Sequence, residues 1–130
     1  MVKRFLKQIF HVRGFRTSIK IAATGIGYLF LYHRNMRLMF LMGLGVFLAG
    51  LLFFNLIAIE LVALCITITL VFMAEIFNTA VELMFDMLTD KYHTHIKLVK
   101  DISAAVVLIA SLNAIAVGYI LFLRKLPWFK

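Results

Sequence analysis

Four polar side chains recur through an otherwise apolar stretch, Ala74-Glu75-Ile76-Phe77-Asn78-Thr79-Ala80-Val81-Glu82-Leu83-Met84-Phe85-Asp86. Glu75, Asn78, Glu82 and Asp86 are spaced by 3, 4 and 4 residues, which on an α-helix brings all four onto one stripe. Three carboxylates on one stripe repel each other and are costly to desolvate. A cation relieves both problems. Oxygen-only ligands suit a hard ion such as Mg²⁺, which keeps several waters and binds phosphates. The plainer reading is that the stripe is the solvated face of a helix leaving a membrane, and it fits Asp86 better than Glu75. Glu75 is embedded in apolar sequence between Leu61 and Val81, and an intramembrane carboxylate marks a functional site by default.

A second polar cluster follows: Asp90-Lys91-Tyr92-His93-Thr94-His95, then Lys97, Lys100 and Asp101. His93 and His95 have the form of a transition-metal pair, but an H-x-H in a loop is a weak signal. Tyr92 and His93 can equally stack on a nucleobase. Lys100, at the expected start of a helix, is placed to meet a phosphate, or to snorkel at a membrane border. Other chemistries lack their motifs. There is no G-x-x-x-x-G-K-[ST] phosphate loop and no serine-hydrolase elbow. Gly43 and Gly45 form no G-x-G-x-x-G pattern and, with Ala49 and Gly50, suit close helix packing. Ser111 and Asn113 suit hydrogen bonds between helices.

The elements that must hold these residues are apolar. Of 130 residues 64% are hydrophobic, and only 14 basic and 6 acidic side chains are present. A soluble domain of this length is about half apolar and about a quarter charged. The composition excludes a soluble globular enzyme, a disordered tail and a disulfide scaffold, and the single Cys65 excludes an intramolecular disulfide. Leu38 to Ile59 and Ile102 to Leu123 carry no charge and each suffice for a spanning helix, which needs about 20 residues. Leu61 to Ala74, continued past Glu75, makes a third span if Glu75 lies near the boundary or faces the interior. We therefore expect a single domain over 1–130, with an N-terminal surface helix over 1–37 and spans at 38–59, 61–83 and 102–123. Asn55 is the expected turn between the first two spans.

Lys3, Arg4, Lys7, His11, Arg13, Arg16 and Lys20 alternate with Phe5, Ile9, Val12, Phe15, Ile19, Ala23 and Ile26. This is the pattern of a basic amphipathic helix lying in a membrane interface, with Gly14 shifting its phase. Met1 to Phe10 lacks the continuous apolar core of a cleavable signal peptide. The net charge of +8 comes from residues that flank apolar segments, so it fits membrane topology and anionic headgroups, not nucleic acid. Eight basic residues precede the first span, and Lys91, Lys97 and Lys100 fall in the expected 84–101 loop. The positive-inside rule puts the N-terminus and this loop in the cytoplasm. Three spans put the C-terminus outside, where Arg124, Lys125 and Lys130 run against the rule.

Ala74 to Glu82, with Asp86, Tyr92-His93, Lys100-Asp101 and the small residues Ser103-Ala104-Ala105, resembles the prokaryotic diacylglycerol kinase/undecaprenol kinase family. The resemblance implies an all-α homotrimer in the inner membrane of a prokaryote, with active sites between subunits. It implies transfer of the γ-phosphate of Mg²⁺-ATP to a membrane lipid alcohol, Mn²⁺ being a possible substitute metal. Carried over residue by residue, Glu75 is the general base on the lipid hydroxyl. Asn78, Asp86, Tyr92, His93, Lys100 and Asp101 belong to the nucleotide site, and Glu82 to the metal. Arg16, Arg37 and Glu75 face the lipid substrate. Asn35-Met36-Arg37 resembles the family's N-x-R element, expected in the surface helix. Two residues before Asn35 the family usually has a metal-binding glutamate; here that position is His33, a softer ligand without negative charge. Lys91 stands where an acidic residue often precedes Tyr-His. Asn78-Thr79-Ala80 and Asn35-x-Arg37 look closer to the undecaprenol kinase branch. Two rival readings come from other classes. One is a catalytically degenerate member acting as a membrane scaffold, motivated by His33. The other is a small ion or proton transporter using Glu75, which gives Lys100 and Asp101 no role.

Overall fold

A computed structural model describes residues 14–88 and 94–125. It is all helical: α1 Phe15–Tyr32, α2 Arg34–Leu52, α3 Ala58–Leu88 and α4 Thr94–Phe122, closed by a 3-10 turn at Leu123–Lys125. Among the described residues, three helices are long and apolar enough to cross a membrane: α2, α3 to Met87, and α4 continued to Lys125. The chain divides into two compact units, Met1–Arg34 and Asn35–Lys130.

In the first unit, Gly14 stands at the start of α1. Its carbonyl accepts the Thr17 and Ser18 N–H groups at 2.7 and 3.2 Å, so the helix begins at Phe15. α1 ends at Tyr32, where His33 turns extended (φ −109°, ψ 109°) while its N–H still reaches the Leu29 carbonyl at 2.9 Å. The His33 ring lies 6.0 Å from that of Tyr28, which in turn is 4.7 Å from Tyr32. Of the expected basic stripe, Lys3 to Arg13 lie outside the described residues, and Arg16 and Lys20 are exposed on α1.

In the second unit, the helices run past the uncharged stretches that announce them. Asn35-Met36-Arg37 lies in the first turn of α2, after the break at His33, and not in the surface helix; Met36 is buried. Much of the expected 84–101 loop is helical as well, through the end of α3 and the start of α4 from Thr94. The reason is that an apolar run stops at the first charge, whereas backbone hydrogen bonding continues into the polar headgroup region and beyond.

The α2–α3 turn falls at Asn55, which adopts φ 46°. Asparagine tolerates this left-handed conformation better than most side chains. Phe54 and Leu56 N–H groups return to the Ala49 and Gly50 carbonyls at 3.2 and 3.1 Å, closing the end of α2. A Cβ on Gly50 would meet the Leu56 Cδ1 at 2.7 Å, and one on Gly43 would meet the Ile68 Cγ2 at 3.0 Å. Gly43 thus leaves room for the α3 side chain Ile68, and Gly50 for Leu56 of the turn and Leu64 of α3, whose Cδ2 its Cβ would meet at 3.3 Å. Gly45 does not share that role, having nothing within 4 Å. Leu56, Leu64 and Leu121 form the buried core, with the Phe54 and Phe122 rings edge to face at 4.9 Å.

α3 and α4 lie antiparallel, as ion pairs at both ends show. Near the connection, Lys100 Nζ donates to Asp86 Oδ1 at 2.7 Å. At the other end, Lys125 Nζ donates to Glu60 Oε2 at 2.6 Å and to the Asn55 carbonyl at 3.2 Å. Glu60 Oε2 also accepts the Ile57 N–H at 2.9 Å, the carboxylate half of a capping box at the start of α3. Lys125 is therefore a paired charge. Ser111 and Asn113 form no hydrogen bond to another helix among the described residues, and Asn113 lies exposed on α4. Large apolar side chains cover the outside of α2, α3 and α4, among them Leu52, Ile59, Met73, Ile109 and Ile115. Such a belt suits hydrocarbon and exceeds what a water-facing surface carries.

Candidate active site

The stripe predicted from spacing forms on α3, whose 31 residues keep Glu75, Asn78, Glu82 and Asp86 in one uninterrupted helix. Its members sit in different surroundings. Glu75 is 8% exposed, between buried Ala74 and the buried Thr79 one turn on. No hydrogen bond reaches its carboxylate among the described residues. Glu82 and Asp86, nearer the end of the helix, are exposed.

Asn78 joins the stripe to α4. Its Nδ2 donates to Glu82 Oε1 at 3.0 Å, and its Oδ1 lies 2.8 Å from the hydroxyl of Ser103. Ser103 is 1% exposed and lies as close, 2.8 Å, to the Lys100 carbonyl one turn earlier. Lys100 then returns to α3 through Asp86. Glu82, Asn78, Ser103, Lys100 and Asp86 thus make one polar path across the α3–α4 interface. Its outer end is a screened pair: the side chains of Lys100 and Asp86 are 37% and 65% exposed, so the ion pair contributes about 0–1 kcal/mol. Its value to the site is that it holds a cation where an anionic ligand can reach it.

The expected nucleotide residues divide accordingly. Asn78, Asp86 and Lys100 come together. Asp101 is exposed and makes no hydrogen bond or ion pair among the described residues, since one step along a helix turns it away from Lys100. Tyr92 and His93 lie outside the described residues. Arg16 and His33 belong to the first unit; Arg37 is exposed in α2. Ser103 was legible only as one small residue in a series. The signal that points to it is its i+3 spacing from Lys100, which puts both on one face of α4.

Among the described residues, no three His, Cys, Asp or Glu side chains gather to hold a metal. The donor set offered is the exposed Glu82 carboxylate, with Oε1 steadied by Asn78 and Oε2 free of hydrogen bonds among the described residues. That fits Mg²⁺, which is bound through one or two carboxylates together with substrate phosphates and water. It would not fit a metal that requires a full cage of protein ligands.

Residues 20–122 match the family model described as prokaryotic diacylglycerol kinase. The chain is similar to a diacylglycerol kinase of Synechocystis sp., with 36% identity over 110 residues, 84% of this chain. It is similar also to the undecaprenol kinase of Bacillus subtilis, with 38% identity over 55 residues, 42% of this chain. The matched stretches span 62% of the Synechocystis protein and 45% of the Bacillus protein.

Proposed function

The chain belongs to the prokaryotic diacylglycerol kinase family, and from that premise we propose that it phosphorylates a membrane lipid alcohol, diacylglycerol or undecaprenol, from ATP. The observation that carries the reading is the graded stripe on α3. A largely buried residue, Glu75, whose carboxylate has no hydrogen-bond partner among the described residues and whose oxygens still reach the surface, stands one turn from a polar array that ends in a lysine.

A primary alcohol is a weak nucleophile, and a carboxylate within reach accepts its proton as attack proceeds. In this reading Glu75 takes the lipid hydroxyl proton. The lipid oxygen forms its bond to the γ-phosphorus, the bond from that phosphorus to the bridging oxygen breaks, and ADP leaves. The lipid keeps its tail in the bilayer beside the apolar flanks of α3. Arg37 and Arg16 serve the lipid side. Phosphoryl transfer needs mainly positioning and charge neutralisation. Lys100 exchanges Asp86 for a phosphate oxygen, and Asp86, Asp101, Tyr92 and His93 complete the nucleotide pocket. Glu82, steadied by Asn78, would hold Mg²⁺ or Mn²⁺. The metal, when bound, neutralises charge on the phosphates.

The orientation that follows is N-terminus and α3–α4 connection in the cytoplasm, where ATP is, in an inner membrane. An amphipathic α1 rests on that surface, and a homotrimer is the working assembly. The test is incubation of the purified full chain in lipid with Mg²⁺ and γ-labelled ATP, offering diacylglycerol and undecaprenol in parallel, with and without EDTA. Label in one lipid, abolished by EDTA, supports the reading and names the substrate. Folded protein that labels neither lipid with Mg²⁺ or Mn²⁺ overturns it, and unchanged label in EDTA removes the metal from it.

A further inference from the structure

Asparagine is nearly symmetric in shape but not in chemistry. One end of its amide donates and the other accepts. Glu82 offers only acceptors to Asn78, so the favourable arrangement turns Nδ2 toward Glu82 and leaves Oδ1 facing α4. There, at the α3–α4 interface, Oδ1 needs a donor. The Ser103 hydroxyl, 2.8 Å away, supplies it, and no other side-chain donor reaches Oδ1 among the described residues.

We propose that Ser103 is a positioning residue for the nucleotide and metal side of the site. Its hydroxyl anchors the Asn78 amide from α4 through Oδ1, and through Asn78 it steadies the Glu82 carboxylate. The inference rests on the reading of Glu82 and Asn78 given above. A helix-interior serine commonly bonds only its own helix, and Ser103 does lie 2.8 Å from the Lys100 carbonyl. What separates it from that ordinary case is the equal distance to a side chain on the facing helix. Packing alone does not call for the hydroxyl, because an alanine fills the same space less one oxygen. Removing it takes the donor from Oδ1. The Asn78 side chain is then held at one end only, and the Glu82 carboxylate loses the fixed support that keeps it where it receives a cation.

The test is Mn²⁺ binding, read by its electron paramagnetic resonance signal, to the full chain in bilayer discs with a non-hydrolysable ATP analogue. Ser103→Ala should weaken Mn²⁺ binding about tenfold, the scale of one net hydrogen bond. Asn78→Ala should weaken it at least as much, and the double variant should be no weaker than Asn78→Ala, since both act through one path. Ser103→Cys, close in volume and a poor donor, should move in the same direction if the alanine variant does not fold. Binding by Ser103→Ala equal to the parent, or a double variant in which the two losses add, overturns the inference. If Glu82→Gln also binds as the parent does, the reading of the site fails as well. If Glu82→Gln loses binding while Ser103→Ala keeps it, the inference alone fails.

Discussion

Glu75 and Asp86 share one stripe of one helix and occupy opposite environments. Glu75 is 8% exposed without a hydrogen-bond partner among the described residues, whereas the side chain of Asp86 is 65% exposed and paired with Lys100. The same residue class is therefore prepared for different work. Glu75→Gln keeps shape and polarity but removes the proton acceptor. It should lower kcat at least about 100-fold, the lower range for a positioned base, while the KM for ATP stays within about twofold. Lys100→Met should instead raise the KM for ATP, by about tenfold for the loss of a charge-assisted contact to phosphate. Steady-state kinetics with both substrates varied separates the two. Neither change should move the melting temperature much, because the exposed Lys100–Asp86 pair contributes little to stability.

At the scale of elements, two glycines seven residues apart on α2 leave room for side chains of α3 and of the α2–α3 turn. Gly50→Val would drive a branched side chain into Leu56 and Leu64, and overpacking of this kind costs about 1–3 kcal/mol. Gly45→Ala meets nothing within 4 Å and should be neutral or slightly stabilising by helix propensity, up to about 1 kcal/mol. Thermal unfolding in detergent distinguishes them; equal melting temperatures would mean that α2 does not pack on α3 this way. Sequence spacing could not tell these glycines apart, because it carries no information on which face meets a neighbour. It did place the stripe, since i, i+3 and i+4 periodicity on α3 is a property of the helix itself. It also placed the turn at Asn55. It stopped short at the helix ends, where charged residues continue the helix outside the hydrocarbon, as Lys97, Lys100 and Asp101 do in α4. Ser103 was hidden for a related reason: its partner is 25 residues away, on another helix.

For the molecule as a whole, ion pairs at the two ends of the α3–α4 interface bracket its apolar length. Glu60 and Asp86 mark off roughly 39 Å of α3 at 1.5 Å per residue, longer than the roughly 30 Å hydrocarbon core. Lys125 would oppose an outside C-terminus, yet Glu60 neutralises it. A periplasm-active reporter fused after residue 130 should therefore be active, and one fused near the α3–α4 connection silent. Glu60→Ala should shift part of the population to the reverse pattern; activity of the connection fusion in the parent would invert the proposed topology. The exposed apolar belt, the polar array at one end and the buried Glu75 beside it all converge on chemistry at a membrane surface. The most direct test is the rate of lipid phosphate formation by Glu75→Gln against the parent, in bilayers at saturating Mg²⁺-ATP and lipid. The account predicts that the parent forms lipid phosphate and that the variant, equally folded, forms at most about one hundredth as much. A variant as fast as its parent would contradict it.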